Sequence, residues 1–135
     1  MGRRMSKAVL EKYFDCFNRK DVDGMLDCLS DHVVHYVNEG NERIGKDKFA
    51  EFCAHMSRCY DEKLTEMVLF EAENGTRGAA EFMVNGVYLE TDEGLPEAKN
   101  QTYRLPAGSF FSLMDGKITR VVTYYNLSDW IKQVS

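Results

Sequence analysis

The sequence predicts an α+β domain in which three N-terminal helices pack on a strongly curved, mostly antiparallel sheet. Apolar residues recur with a helical period over roughly the first sixty positions, and from about residue 64 the period falls to two. Helices therefore come first and a strand meander second, the layout of an α+β domain, with no repeat or linker between them.

Ser6 can cap a first helix, in which Val9, Leu10, Tyr13, Phe14 and Phe17 share one side. Asn18-Arg19-Lys20 stops it, and Asp21 can cap a second, short helix that turns Val22, Met25, Leu26 and Leu29 inward. Ser30-Asp31 breaks that helix, and residues 32–38, HVVHYVN, are β-branched and aromatic enough to form a strand. A loop with Gly40 and Gly45 leads to a third helix carrying Phe49, Phe52, Cys53, Met56 and Tyr60 on one face. Residues 64–72 and 77–90 read as strands joined at Asn74-Gly75, and residues 101–113 and 117–125 as two more joined at Asp115-Gly116. Both dipeptides suit hairpin turns that demand positive φ. Trp130 and Ile131 close the chain in a short packed tail.

A chain of 135 residues makes one domain with a core of its own, residues 1–5 being expected to be disordered. The net charge of −5 argues against nucleic acid or an anionic membrane as partner, both of which need a basic surface. No apolar run is long enough to span a bilayer, and MGRRMSKAV lacks the apolar stretch of a secretory signal. Cys16, Cys28, Cys53 and Cys59 form no C-x-x-C and stand mostly among apolar residues, as buried thiols of a cytoplasmic protein would. No cofactor or metal is expected. There is no phosphate-binding glycine loop, Asp21-x-Asp23-Gly24 lacks the ligands of a calcium loop, and His32, His35 and His55 show no paired spacing on one element.

Two features of the later strands concern function. Phe110-Phe111, Val121-Val122 and Tyr124-Tyr125 are adjacent bulky pairs, so both faces of the sheet present apolar groups. Helices can cover only one face, and a homodimer through the outer sheet face is the economical cover for the other. The segment TDEGLPEAKN, residues 91–100, is longer than a hairpin needs and is either a mouth element or a solvated acidic loop.

Lys12-Tyr13-Phe14, Asn18-x-x-Asp21-x-Asp23-Gly24, Leu29-Ser30-Asp31 and YRLPAGSFFSLMDGKITRVVTYYNLSDW at 103–130 together resemble the NTF2-like superfamily, within it the SnoaL-like and ketosteroid-isomerase-related proteins. The resemblance runs from about Leu10 to Trp130. It implies a cone whose open end admits an apolar small-molecule ligand. Ketosteroid isomerase uses an aspartate base, with a tyrosine and a protonated aspartate holding the enolate oxygen. Carried over, Tyr13 matches the oxyanion tyrosine. The base position falls on Val37, the protonated aspartate on Gly108, and the tyrosine that supports the first one on Cys53. Valine takes no proton and glycine offers no side-chain donor.

If the first strand keeps the family phase, Val33, His35 and Val37 face the cavity. His35, one strand step before the lost base, is then a candidate base, set against a buried histidine with only a packing role. Glu39 at the strand end is a second candidate, set against an ordinary solvated glutamate. On the later strands the same phase turns Arg104, Gly108, Phe110 and Ser112 inward with Tyr88, Thr123 and Tyr125. Arg104 inside would hold a carboxylate, enolate or phenolate; outside it is a rim or salt-bridge residue. Phe17, Phe52, Phe82, Phe110 and Tyr125 line the interior or fill it. The functional expectation is a ligand-binding protein that moves a proton on a hydrophobic carbonyl compound, in an isomerase, cyclase or dehydratase reaction. The alternative is a binding module without turnover, or a purely structural dimer.

Overall fold

The computed structural model describes residues 2–38 and 40–135, the side chains of residues 2–5 excepted. Of the residues expected to be disordered, 1–5, the backbone of 2–5 is helical and opens the first helix, while Met1 and the role expected of Glu39 lie outside the described residues. The elements are α1 (Gly2–Asn18), α2 (Val22–Asp27), β1 (Leu29–Tyr36), β2 (Glu42–Ile44), α3 (Lys46–Cys59), β3 (Tyr60–Glu71), β4 (Arg77–Tyr88), β5 (Thr102–Met114), β6 (Lys117–Tyr125) and α4 (Leu127–Val134).

Among the described residues six strands form one sheet, in the order β2-β1-β6-β5-β4-β3, antiparallel except where β1 runs parallel to β6. Helix α1 buries Leu10, Tyr13 and Phe14, and it is anchored at its far end. The Asn18 amide donates to the Leu64 carbonyl at 2.9 Å and accepts from the Leu64 N–H at 2.8 Å, closing a two-bond clasp onto β3. Ser6 does not cap the helix. It lies inside α1, and its hydroxyl donates to the Glu71 carboxylate at 2.7 Å. Asp21 does cap α2, accepting from the Gly24 N–H at 2.9 Å. Position 24 has no room for a side chain, because a Cβ there would meet Cys16 Sγ at 2.6 Å.

The sheet departs from the sequence reading in small ways. The first strand begins at Leu29, so Leu29 belongs to it and not to α2. The glycine loop contains β2, held in place by pairing with β1. Tyr60 opens β3, and the tail is a full helix capped by Asn126, which accepts from the Asp129 N–H at 3.0 Å. At Asp115-Gly116 both residues have positive φ, as the tight hairpin requires. β3 carries a bulge between Thr65 and Val68, with Glu66 at φ 55°. Such an inserted residue bends and twists its strand, and here it helps curl the sheet around the helices.

The largest correction is the phase of β5. Tyr103, Leu105, Ala107, Ser109, Phe111 and Leu113 face the helices, which puts Arg104, Gly108, Phe110 and Ser112 on the outer face, opposite to expectation. The inward series is the more apolar one, and burying it removes more hydrocarbon from water than the alternative. Phe111 is fully buried against Tyr13 and Phe14, whereas Phe110 is 48% exposed and packs edge-on against Tyr124. With Val68 and Phe70 of β3, these two rings leave the outer face apolar and uncovered.

Candidate functional site

The chemistry-bearing side chains gather at the β1–β2 side of the inner face, under α1 and α3. The expected phase of β1 is correct. Val33 and His35 are buried there, His35 to 5% exposure, while Val34 and Tyr36 turn outward. Tyr13 comes from α1 and is 7% exposed, in edge contact with Phe14 at 5.2 Å and Phe111 at 5.7 Å. Phe49 of α3 bridges the two candidates: its ring centroid lies 6.4 Å from that of Tyr13 and 4.9 Å from that of His35. Phe52, one helical turn on, packs edge-on against the imidazole at 4.6 Å. Tyr13, His35 and Phe52 are thus brought together.

Electrostatics follow from this dryness. Burial raises the Tyr13 phenol far above its usual range, and the neighbouring Cys53 and Cys28 thiols push it further, so the group keeps its proton. Cys53 itself is pushed up to about 11 by burial. The resemblance set Cys53 as the neighbour of Tyr13, and that proximity is seen. Burial, and secondarily the Arg43 charge, lowers His35 to about 4, so its imidazole is neutral at pH 7.

Arg43 is the residue that sequence reasoning missed. It is the cross-strand partner of His35 on β2, and its guanidinium carbon stands 5.9 Å over the Phe52 ring. His35 Nδ1 and Arg43 Nε are both buried without a hydrogen-bond partner among the described residues. The hidden signal was the turn after HVVHYVN. Gly40 at φ 90° and the Gly40 N–H to Val37 carbonyl bond reverse the chain, placing ERI beside the strand. Ser109 and Thr123 also face inward, with hydroxyls 2.7 Å apart.

The remaining expected lining residues lie elsewhere. Phe82 fills the central core, 5.5 Å from Phe14, and Phe17 packs at the core margin. Tyr125 keeps the inner phase beside Ala107 but is 38% exposed, its backbone N–H held by Asn38 Oδ1 at 2.9 Å. Arg104 is on the outer face, paired with Glu66 and donating to Asn85 at 3.1 Å, because β5 has the opposite phase.

Tyr88 is fully buried at the opposite end of the inner face, where its hydroxyl serves structure. It donates to the Pro96 carbonyl at 2.6 Å and accepts from the Asp92 N–H at 2.9 Å. These bonds fasten residues 91–100 onto β4. Tyr60, Tyr88, Tyr103 and Trp130 pack ring to ring around them, and Tyr103 donates to Glu62 at 2.5 Å. On the same side, ligand atoms of His55, Cys59 and Asp92 lie within 4.8 Å of one another, atom types that can hold a divalent cation. Here they form a hydrogen-bonded cluster: His55 Nε2 meets Asp92 at 2.9 Å, and Tyr60 donates to the other Asp92 oxygen at 2.6 Å. The four cysteines are free, and no described helix is long and apolar enough to cross a membrane.

The family model of the SnoaL-like domain matches residues 10–121. No curated protein matches. Among solved structures, a candidate polyketide cyclase from Silicibacter is 67% identical, with TM-score 0.95 and coverage of 96% of this chain and 95% of that one. A second candidate polyketide cyclase, from Xanthomonas campestris pv. campestris, is 47% identical, with TM-score 0.96 over the whole of both chains. A Catenulispora acidiphila protein with a ketosteroid isomerase-like fold superposes with TM-score 0.76 at 14% identity, covering 93% of this chain and 91% of that one, and so shares the fold alone.

Proposed function

Because the chain belongs to the SnoaL-like domain family and folds as an NTF2-like cone, we propose that it binds a hydrophobic carbonyl compound beside Phe49 and moves a proton on it. The supporting observation is that a buried, protonated phenol and a buried, neutral imidazole flank one apolar ring. Tyr13 donates to the carbonyl oxygen and holds the negative charge that develops on it. His35 takes the proton from the adjacent carbon and returns it at another position. At a pKa of about 4, His35 is a base of carboxylate strength that stays unprotonated at neutral pH. The enolate so formed is the common starting point of isomerisation and of ring closure onto a second carbonyl. That chemistry agrees with the relatives described as candidate polyketide cyclases.

The assay is exchange of the α-protons of 1-tetralone in heavy water, followed by mass spectrometry. The reading requires protein-dependent deuterium uptake above the buffer rate. Uptake at the buffer rate, with the ketone shown to be bound, would leave a binding module without turnover.

We also propose that the outer face pairs with a second copy. Phe110, Tyr124, Val68 and Phe70 leave it apolar over several strands, and large exposed apolar patches are uncommon on monomers.

A further inference from the structure

The ligand class can be narrowed from two buried nitrogens that meet no partner among the described residues, one of them on a residue the proton transfer does not use. His35 Nδ1 and Arg43 Nε are buried polar atoms with no partner among the described residues. A buried donor left unpaired is costly, and native structures rarely keep two side by side without a purpose. Arg43 also forms no ion pair with any described carboxylate, although acidic residues outnumber basic ones 22 to 17. Among the described residues, those shown against it are Phe52 and the neutral His35. The guanidinium lies over Phe52, and Phe52 packs on His35, which sits across the ladder from Arg43.

An unpaired guanidinium on an apolar wall is a receptor for an anion. Its Nε–H and one terminal N–H form the parallel fork that a carboxylate accepts through both oxygens. The face of Phe52 gives a flat, conjugated body a surface to lie against. Arg43 is half-buried as a residue while its Nε is buried, so a carboxylate must enter the inner face to meet the fork, and the rest of the ligand then extends toward Phe49 and Tyr13.

Resting on the proposed function above, we propose that the ligand is a planar aromatic or conjugated carboxylate, whose carboxylate is held bidentate by Arg43 and whose ring lies along Phe52. Arg43 is then a specificity residue and takes no part in moving the proton.

The test is calorimetric titration, at low salt and pH 7.5, with 2-naphthoate and with 2-naphthamide, which has the same ring and no charge. The expected result is that the acid binds at least tenfold more tightly than the amide. Arg43→Gln should level the two while still binding the amide, and Arg43→Lys should keep part of the preference through charge without the fork. The comparison of the two compounds on the unaltered protein needs no variant, so it stands even if a variant folds poorly. Equal binding of acid and amide, or a preference that survives in Arg43→Gln, would overturn the anion assignment and leave the proposed function standing. Binding of neither compound would overturn both.

Discussion

His35 and Arg43 face each other across the β1–β2 ladder, each with a buried nitrogen that meets no partner among the described residues. The pair sits where the inner sheet face meets α3, with Phe52 against both. This relationship sets the protonation state of the candidate base, since burial and the adjacent positive charge both disfavour the imidazolium.

A pH dependence of stability follows. His35 falls from 6.5 to about 4 on folding, so between those values the unfolded chain binds a proton that the folded chain does not. Stability attributable to this site is therefore full above pH 6.5 and declines as the pH drops toward 4, by up to about 3 kcal/mol. Chemical denaturation at pH 7 and pH 4.5 should show a smaller acid loss in His35→Leu than in the unaltered protein. Equal losses in the two would contradict the assignment.

Gly86 is expected to be intolerant of any side chain. The Tyr103 ring lies across it, and a Cβ at 86 would stand 2.2 Å from Tyr103 Cζ. Gly86→Ala should cost roughly 1–3 kcal/mol through overpacking and loss of the Tyr103 to Glu62 hydrogen bond. In a Tyr103→Leu background the same substitution should cost much less, a coupling that thermal melts of the four proteins would measure.

The outer face gives a prediction about assembly. Sedimentation of the unaltered protein should give a dimer, and Phe110→Asp, which places a charge in the middle of the exposed apolar patch, should give a folded monomer. A monomer from the unaltered chain would refute the pairing.

Most of the architecture was legible because it is written in periodicity. Leu10, Tyr13 and Phe14 at helical spacing, Val33 and His35 alternating on one strand, and Asp115-Gly116 at a hairpin are local signals, and each was read correctly. Two things were not local. The face assigned to Phe110 and Arg104 followed a family alignment anchored on Gly108, whereas the more apolar series through Leu105, Phe111 and Leu113 decides which side meets the helices. Arg43 stands on a three-residue strand with little propensity of its own, held in place by pairing with β1 and by contact with α3. The neighbour that perturbs His35 was thus absent from a reading built on single elements. Tyr88 shows the converse: a tyrosine of the right phase whose hydroxyl is already committed to Pro96 and Asp92.

The central claim is that Tyr13 and His35 act together on one bound carbonyl. Deuterium uptake into 1-tetralone, compared among the unaltered protein, Tyr13→Phe and His35→Leu with the folded state checked by circular dichroism, tests it most directly. The expected result is a loss of about a hundredfold or more in each variant, the usual cost of removing an oxyanion donor in one and a general base in the other. A change of less than twofold in Tyr13→Phe would contradict it.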